Sequence, residues 1–359
     1  MPGVRRSDFP CLRLRNLRAV RLGKMRVASR QLALLPDPEP AGLPVLNTVT
    51  RGTRFLELPV RRVLNPPSTT HMPFWSLNPY VGCEFGCSYC YARRTHEWTM
   101  ERAGMDRGAD SPHQSFERQI LVKHAAPEVL LRTLEPARLG TTALVIGTAT
   151  DPYQPAERKF RLTRRLLQAL LLHRGLHLGI ITKSPLIVRD LDVLTSLSER
   201  HELSVDISIA SADSVMLRRL EARSPAPHAR LRALARLRAA GVRAGIMIAP
   251  ILPGITDGWA SLALLMEKGK EAGACWVSGG ALHLGPAARN GFLPLLRREF
   301  PELVARYERR YGKNDRPGKE YERALARRFR TLQEAFGFPG THPRMGKDRL
   351  EQAAAEPEG

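Results

Sequence analysis

The chain has 359 residues, 43% of them hydrophobic, which suffices for one large α/β domain with extensions or for two ordinary domains. No run approaches the roughly 18 consecutive apolar residues of a membrane span, and no apolar signal core opens the chain, so neither membrane insertion nor secretion is expected. A formal charge of +21, with arginine outnumbering lysine 47 to nine, attracts polyanions, nucleic acid above all, although solvated helix faces also absorb many charges.

Residues 1–70 read as a basic, largely flexible N-terminal arm. Positions 1–30 hold nine Lys or Arg against Asp8 alone, and Pro36, Pro38, Pro40 and Pro44 keep the next stretch extended. From about residue 75 the pattern becomes regular. A short strand over 76–80 runs into a cysteine-rich loop. Apolar strand-like runs follow at 143–147, 178–182, 203–210, 243–249 and 274–278. Helical patterns at 158–173, 186–200, 228–240 and 258–272 separate them, with apolar residues three and four apart, as at Leu231, Leu234 and Leu237. Such βα repeats imply right-handed crossovers and a parallel sheet, here six strands forming an open or partly closed barrel over 71–286. Reactive groups in these folds gather beyond the carboxyl ends of the strands, where the cysteine loop also emerges. Residues 287–359 read as a basic helical extension, helical over 297–333, that ends in a disordered tail over 351–359.

Three of the five cysteines, Cys83, Cys87 and Cys90, lie within eight positions; Cys11 and Cys275 stand apart. A disulfide framework would be dispersed in a small secreted chain, so a metal site in a reducing cytoplasm fits better. The spacing C-x3-C-x2-C lets three thiolates converge on three corners of a [4Fe–4S] cubane. Gly82 and Gly86 supply the backbone turns. With no fourth protein ligand nearby, one iron stays open for a small molecule. A zinc site recruiting His71 or His96, and a Cys87/Cys90 dithiol, are the weaker readings. The first lacks paired knuckles, and the second leaves Cys83 idle.

The loop resembles the signature of the radical S-adenosylmethionine superfamily, CxxxCxΦC, with Tyr89 as the aromatic Φ. The βα repeats resemble that superfamily's partial (β/α)6 barrel. The phrases Ser76-Leu77-Asn78-Pro79-Tyr80, Cys90-Tyr91-Ala92-Arg93, Thr95-His96-Glu97-Trp98 and 147–155 are similar to those of a bacterial branch related to spore photoproduct lyase, a DNA-repair enzyme.

The resemblance implies that Cys83, Cys87 and Cys90 bind the cluster. The open iron then chelates S-adenosylmethionine, whose reductive cleavage gives a radical that abstracts hydrogen from the substrate. It places Tyr89 near the adenine. It sets Thr148, Thr150 and Asp151 where the superfamily often carries a Gly-Gly-Glu stretch that grips the cofactor amine; that stretch is absent here. It assigns Lys183 to the cofactor carboxylate and Ser208 to a ribose or carboxylate contact, and puts His283 where an arginine often stands. It further implies an external electron donor such as flavodoxin or ferredoxin. No residue is singled out for the catalytic hydrogen transfer. Cys275 is either a hydrogen donor or a small core residue, the core being favoured.

Two classes of function follow. One is a radical S-adenosylmethionine enzyme, with nucleic acid as a candidate substrate because of the basic arm and C-terminal helix. The other is a non-catalytic, metal-stabilised nucleic-acid binder.

Overall fold

The computed structural model describes residues 45–48, 52–105, 108, 110–340 and 342, the first four by backbone alone. Six strands run parallel in chain order: β4 (Trp75–Leu77), β7 (Leu144–Ile146), β8 (His177–Thr182), β9 (Glu202–Ser208), β10 (Ala244–Ile251) and β11 (Val277–Ala281). The hairpin strand β3 (Leu64–Asn65) closes one edge, antiparallel to β4. Since β11 does not pair back to β4 among the described residues, the barrel is partial. The strands are rich in Val, Ile and Leu because helices cover their outer face. Leu77, Ile146, Ile180, Ile207 and Ile248 on that face are fully buried in one continuous core.

The crossover helices are α7 (Leu162–Leu170), α8 (Leu191–Arg200), α10 (Pro227–Ala239) and α11 (Trp259–Glu271). The helical pattern expected over 158–173 is interrupted at Arg161, whose φ of +49° breaks the α-helix.

A second sheet lies beside the barrel, in the order β1 (Val45–Thr48), β2 (Arg54–Glu57), β6 (Gln119–Val122), β5 (Tyr80–Val81). Within the arm expected over 1–70, residues 54–63 are part of the packed structure. Strand β2 pairs with β6 and buries Phe55 and Leu56, and Leu58 and Val63 are buried with them. The local pattern hid this because the partner strand is distant in sequence. Residues 1–44 of the arm and the tail at 351–359 lie outside the described residues.

The last strand is also shifted. It begins at Val277, not at 274, and runs through Gly279 and Gly280, a pair that reads as a breaker. Cys275 therefore precedes the strand. Its N–H donates to Ala244 O at the start of β10, at the amino end of the sheet and away from the cysteine loop. That position rules out Cys275 as a hydrogen donor at the carboxyl ends.

The C-terminal extension is three helices that begin ahead of the helical stretch expected over 297–333: α12 (Pro286–Glu299), α13 (Val304–Tyr311) and α14 (Lys319–Ala335). Phe292, Leu296, Tyr307 and Tyr311 pack in one apolar cluster with Cys83, Phe85, Cys87 and Tyr89, so the extension covers the cysteine loop.

Candidate active site around the cysteine loop

The loop leaves β5 and is clamped on several sides. Gly82 has φ +90°, and a Cβ there would lie 2.9 Å from Phe116 O, so glycine is required twice over. The next residue, Cys83, donates its N–H to the same carbonyl at 3.0 Å. Gly82 O accepts from the Thr150 hydroxyl (2.6 Å) and the Gln154 amide (3.1 Å). On the opposite flank Cys87 forms an antiparallel bridge with Glu221, and Ser88 donates through N and Oγ to Leu220 O, each at 3.1 Å. Buried Arg93 donates to Cys87 O (2.8 Å), to His113 O (2.8 Å) and to Glu117 (2.7 Å). Arg223 reaches Glu84 O at 2.6 Å and pairs with the other Glu117 oxygen.

Burial pushes all three thiols up, and each sulfur is a charge neighbour of at least one of the others. Three clustered thiols in a dry pocket are poor thiolates unless a cationic group compensates them. No group of three His, Cys, Asp or Glu side chains among the described residues closes on a single ion. Three cysteine thiols with no histidine beside them are the donor set that a cluster takes, one iron per sulfur. The two histidines of the zinc alternative do not join it. His96 Nε2 lies 2.9 Å from Gln119 O with its ring against Phe116, and His71 is an exposed helix cap.

The expected cofactor-binding residues do gather at the carboxyl ends of β7, β8 and β9. Lys183 Nζ lies 3.0 Å from Ser208 Oγ, 2.9 Å from Glu221 and 5.8 Å from the Tyr89 ring centre. Thr148 Oγ1 bonds Ser76 (2.5 Å) and Asn78 (3.1 Å). Asp151 accepts from Thr182 Oγ1 and from Lys183 N, both at 2.7 Å, tying the β7 loop to the end of β8. Desolvation raises the Asp151 carboxyl, though these donors pull it back. His283 is exposed at the exit of β11.

Glu221 is the residue that sequence reasoning missed. Desolvation favours its neutral form, but Arg230 and Lys183 win and hold it well below the usual carboxylate range. Its oxygens accept from Tyr89, Lys183, Ser224 and Arg230. Glu221 and Arg230 are both completely buried. Their spacing matches no motif, because Glu221 ends the short helix α9 (Ser214–Leu220) and Arg230 lies in α10. Arg93 is a second such residue, since its burial directly after the loop is not visible in the sequence.

The family model of the radical SAM superfamily matches residues 77–265. An uncharacterized protein of Mycobacterium tuberculosis (strain ATCC 25618 / H37Rv) is 34% identical over 293 residues, 81% of this chain and 83% of that protein. An uncharacterized protein of Methanocaldococcus jannaschii is 25% identical over 203 residues, 56% of this chain and 70% of that one. Spore photoproduct lyase with bound AdoMet and dinucleoside spore photoproduct superposes with a TM-score of 0.58 at 18% identity, over 84% of this chain and 86% of that one, a likeness of fold. Among the described residues no helix is long and apolar enough to cross a membrane. A family match over more than half the chain, on a six-strand parallel frame with three clustered thiols at its carboxyl face, makes this protein a member of the radical SAM superfamily, whose cofactors are a [4Fe–4S] cluster and S-adenosylmethionine.

Proposed function

We propose that Cys83, Cys87 and Cys90 hold the cluster and that Lys183 and Ser208 hold the carboxylate end of S-adenosylmethionine, in an enzyme acting on nucleic acid. The observation that carries the site assignment is the buried Lys183–Ser208–Glu221 group beside Tyr89. Two of the three Lys183 donors are engaged by Ser208 and Glu221, which leaves the ammonium a donor and a charge for a carboxylate. Tyr89, fixed through its hydroxyl to Glu221, offers a ring to the adenine side.

Thr148, Thr150 and Asp151 form the remaining wall. Their polar groups already hold Asn78, Gly82 and Lys183 N, so their part is to orient the cysteine loop and the lysine. When bound, the cluster and S-adenosylmethionine supply reductive C–S cleavage and hydrogen abstraction; the chain supplies position and a dry cavity.

Support for a nucleic-acid substrate, in a lyase-like reaction, is the +21 charge and the shared fold with a protein solved with a dinucleoside photoproduct. A low-potential flavodoxin or ferredoxin in a reducing cytoplasm is the electron source in this reading.

Anaerobic reconstitution with iron and sulfide tests it. The expected result is a brown protein with four irons per chain, on the cluster stoichiometry, that releases 5′-deoxyadenosine from S-adenosylmethionine under dithionite. Lys183→Ala should keep the iron and weaken cofactor binding. A colourless, zinc-loaded protein that binds DNA would instead establish the non-catalytic alternative. DNA or RNA binding without a steep salt dependence would remove the nucleic-acid reading.

A further inference from the structure

A cavity of about 900 Å³ opens on the outer flank of the cysteine loop, between α9 and α12. Gly86 and Ser88, the two chain neighbours of Cys87, form part of its lining, with Glu117 and Glu221. Tyr89, Thr148, Thr150, Asp151, Lys183 and Ser208 do not line it. The cavity therefore meets the cluster loop at Gly86 and Ser88, and of the Lys183–Ser208–Glu221 group it touches Glu221 alone.

Its walls are mixed. Val215 is 72% exposed, and Pro294 and Leu295 add apolar surface. Around them stand Arg218, Arg219 and Arg298, with Arg223 packed on Gly86. The acids on this surface are Glu117, enclosed by Arg93 and Arg223, Glu221, held by Arg230 and Lys183, and Glu299, shared by Arg219 and Arg298. Exposed Arg218 donates to the neutral Ala222 carbonyl. The groove is thus positive at its rim and apolar within, the composition of a protein-docking face more than of a phosphate track.

Electron transfer weakens steeply with distance, so the donor must approach the cluster closely. Here the groove is lined by Gly86 and Ser88, which flank Cys87 directly in the chain. We propose that this groove docks a small acidic one-electron carrier protein, of the low-potential flavin or iron–sulfur class, which reduces the cluster. The proposal rests on the cluster assignment made above. One electron leaves the carrier and enters the cluster; no bond forms or breaks and no proton moves.

The test uses the reconstituted full-length enzyme under anaerobic conditions. Flavodoxin hydroquinone is mixed with it, and oxidation of the flavin to the semiquinone is followed by stopped flow alongside bleaching of the cluster. The wild-type second-order rate should fall steeply with added salt. Arg218→Glu with Arg298→Glu should lower that rate at least about tenfold at low salt, the range that steering charges command. The same variant should be reduced by dithionite as fast as wild type. Arg174→Glu with Arg200→Glu, exposed at the amino ends of the strands, makes an equal charge change and should leave the flavodoxin rate within about twofold. An unchanged flavodoxin rate in the first variant overturns the proposal. So does loss of duplex-oligonucleotide binding there with the flavodoxin rate intact, which makes the groove a nucleic-acid surface. Failure of dithionite to bleach the wild-type cluster refutes the cluster assignment itself, and the docking proposal falls with it.

Discussion

At the scale of single residues, the site is organised by a carboxylate that no motif announces. Lys183, just after the third barrel strand, could be picked out through the family resemblance, which attaches to a single position. Its partner Glu221 lies 38 residues on, at the exit of a seven-residue helix, and only the fold brings the two to 2.9 Å. Glu221 compensates two cations, and its pair with Arg230 is completely buried on both sides. Removing one member of such a group leaves an uncompensated buried charge, which costs about 3–5 kcal/mol. Glu221→Gln keeps the shape but drops the charge and puts a donating NH2 against donors, either Tyr89 and Lys183 or Ser224 and Arg230. It should lower stability by that order and loosen Tyr89 and Lys183 together. Urea unfolding of the reconstituted protein gives the first quantity, and the affinity for S-adenosylmethionine by equilibrium dialysis gives the second. A variant as stable as wild type with the same affinity would show that Arg230 and Lys183 find other anions.

At the scale of elements, the barrel strands were legible because burial on both faces makes them continuous apolar runs. Strand β2 was not, since its burial depends on β6 far along the chain, and the last strand was framed early because its glycine pair mimics a turn. The role of α12 was hidden for a different reason. Most of the helix falls before the basic helical stretch read over 297–333, and nothing local marks it as the lid on the cysteine loop. Gly291 shows how closely it sits: a Cβ there would lie 2.4 Å from His113 Nδ1 and 2.8 Å from Ser88 O. In an exposed helix, Gly→Ala stabilises by about 1 kcal/mol. Here the methyl meets backbone on the far side, so the helix or the loop must move. Gly291→Ala should therefore lower the melting temperature and reduce the iron retained per chain after desalting, both measurable on the same preparation. A gain in melting temperature with full iron content would mean that α12 has room to shift.

At the scale of the whole molecule, the chain returns to its own barrel near its end. Asp206, Ser204 and Ser208 alternate with Leu203, Val205 and Ile207 along β9, and the apolar set packs in the core shared with the helices. The other face of the strand therefore looks into the barrel. There Trp276 Nε1 donates to Asp206 at 2.8 Å, and His342 Nε2 lies 3.0 and 3.1 Å from its two oxygens, with the His342 and Trp276 rings edge to face at 5.4 Å. The sequence places His342 in a C-terminal extension with no periodic link to β9, 136 residues earlier, so this closure was unreadable from pattern. It gives the extension a second task besides covering the cysteine loop, which is to satisfy a buried carboxylate inside the barrel. His342→Ala should cost about 1–3 kcal/mol, the penalty for a buried acceptor that loses a partner. Asp206→Asn should cost a comparable amount, because Trp276 and His342 both lose the charged acceptor. If the contact is direct, the double variant should cost less than the sum of the two, with a coupling of about 0.5–3 kcal/mol. Strict additivity in urea unfolding would place the His342 contribution elsewhere. Cofactor turnover by the His342→Ala protein below its unfolding range should stay near wild type, since the closure lies in mid-barrel and the reactive groups stand at the carboxyl ends of the strands.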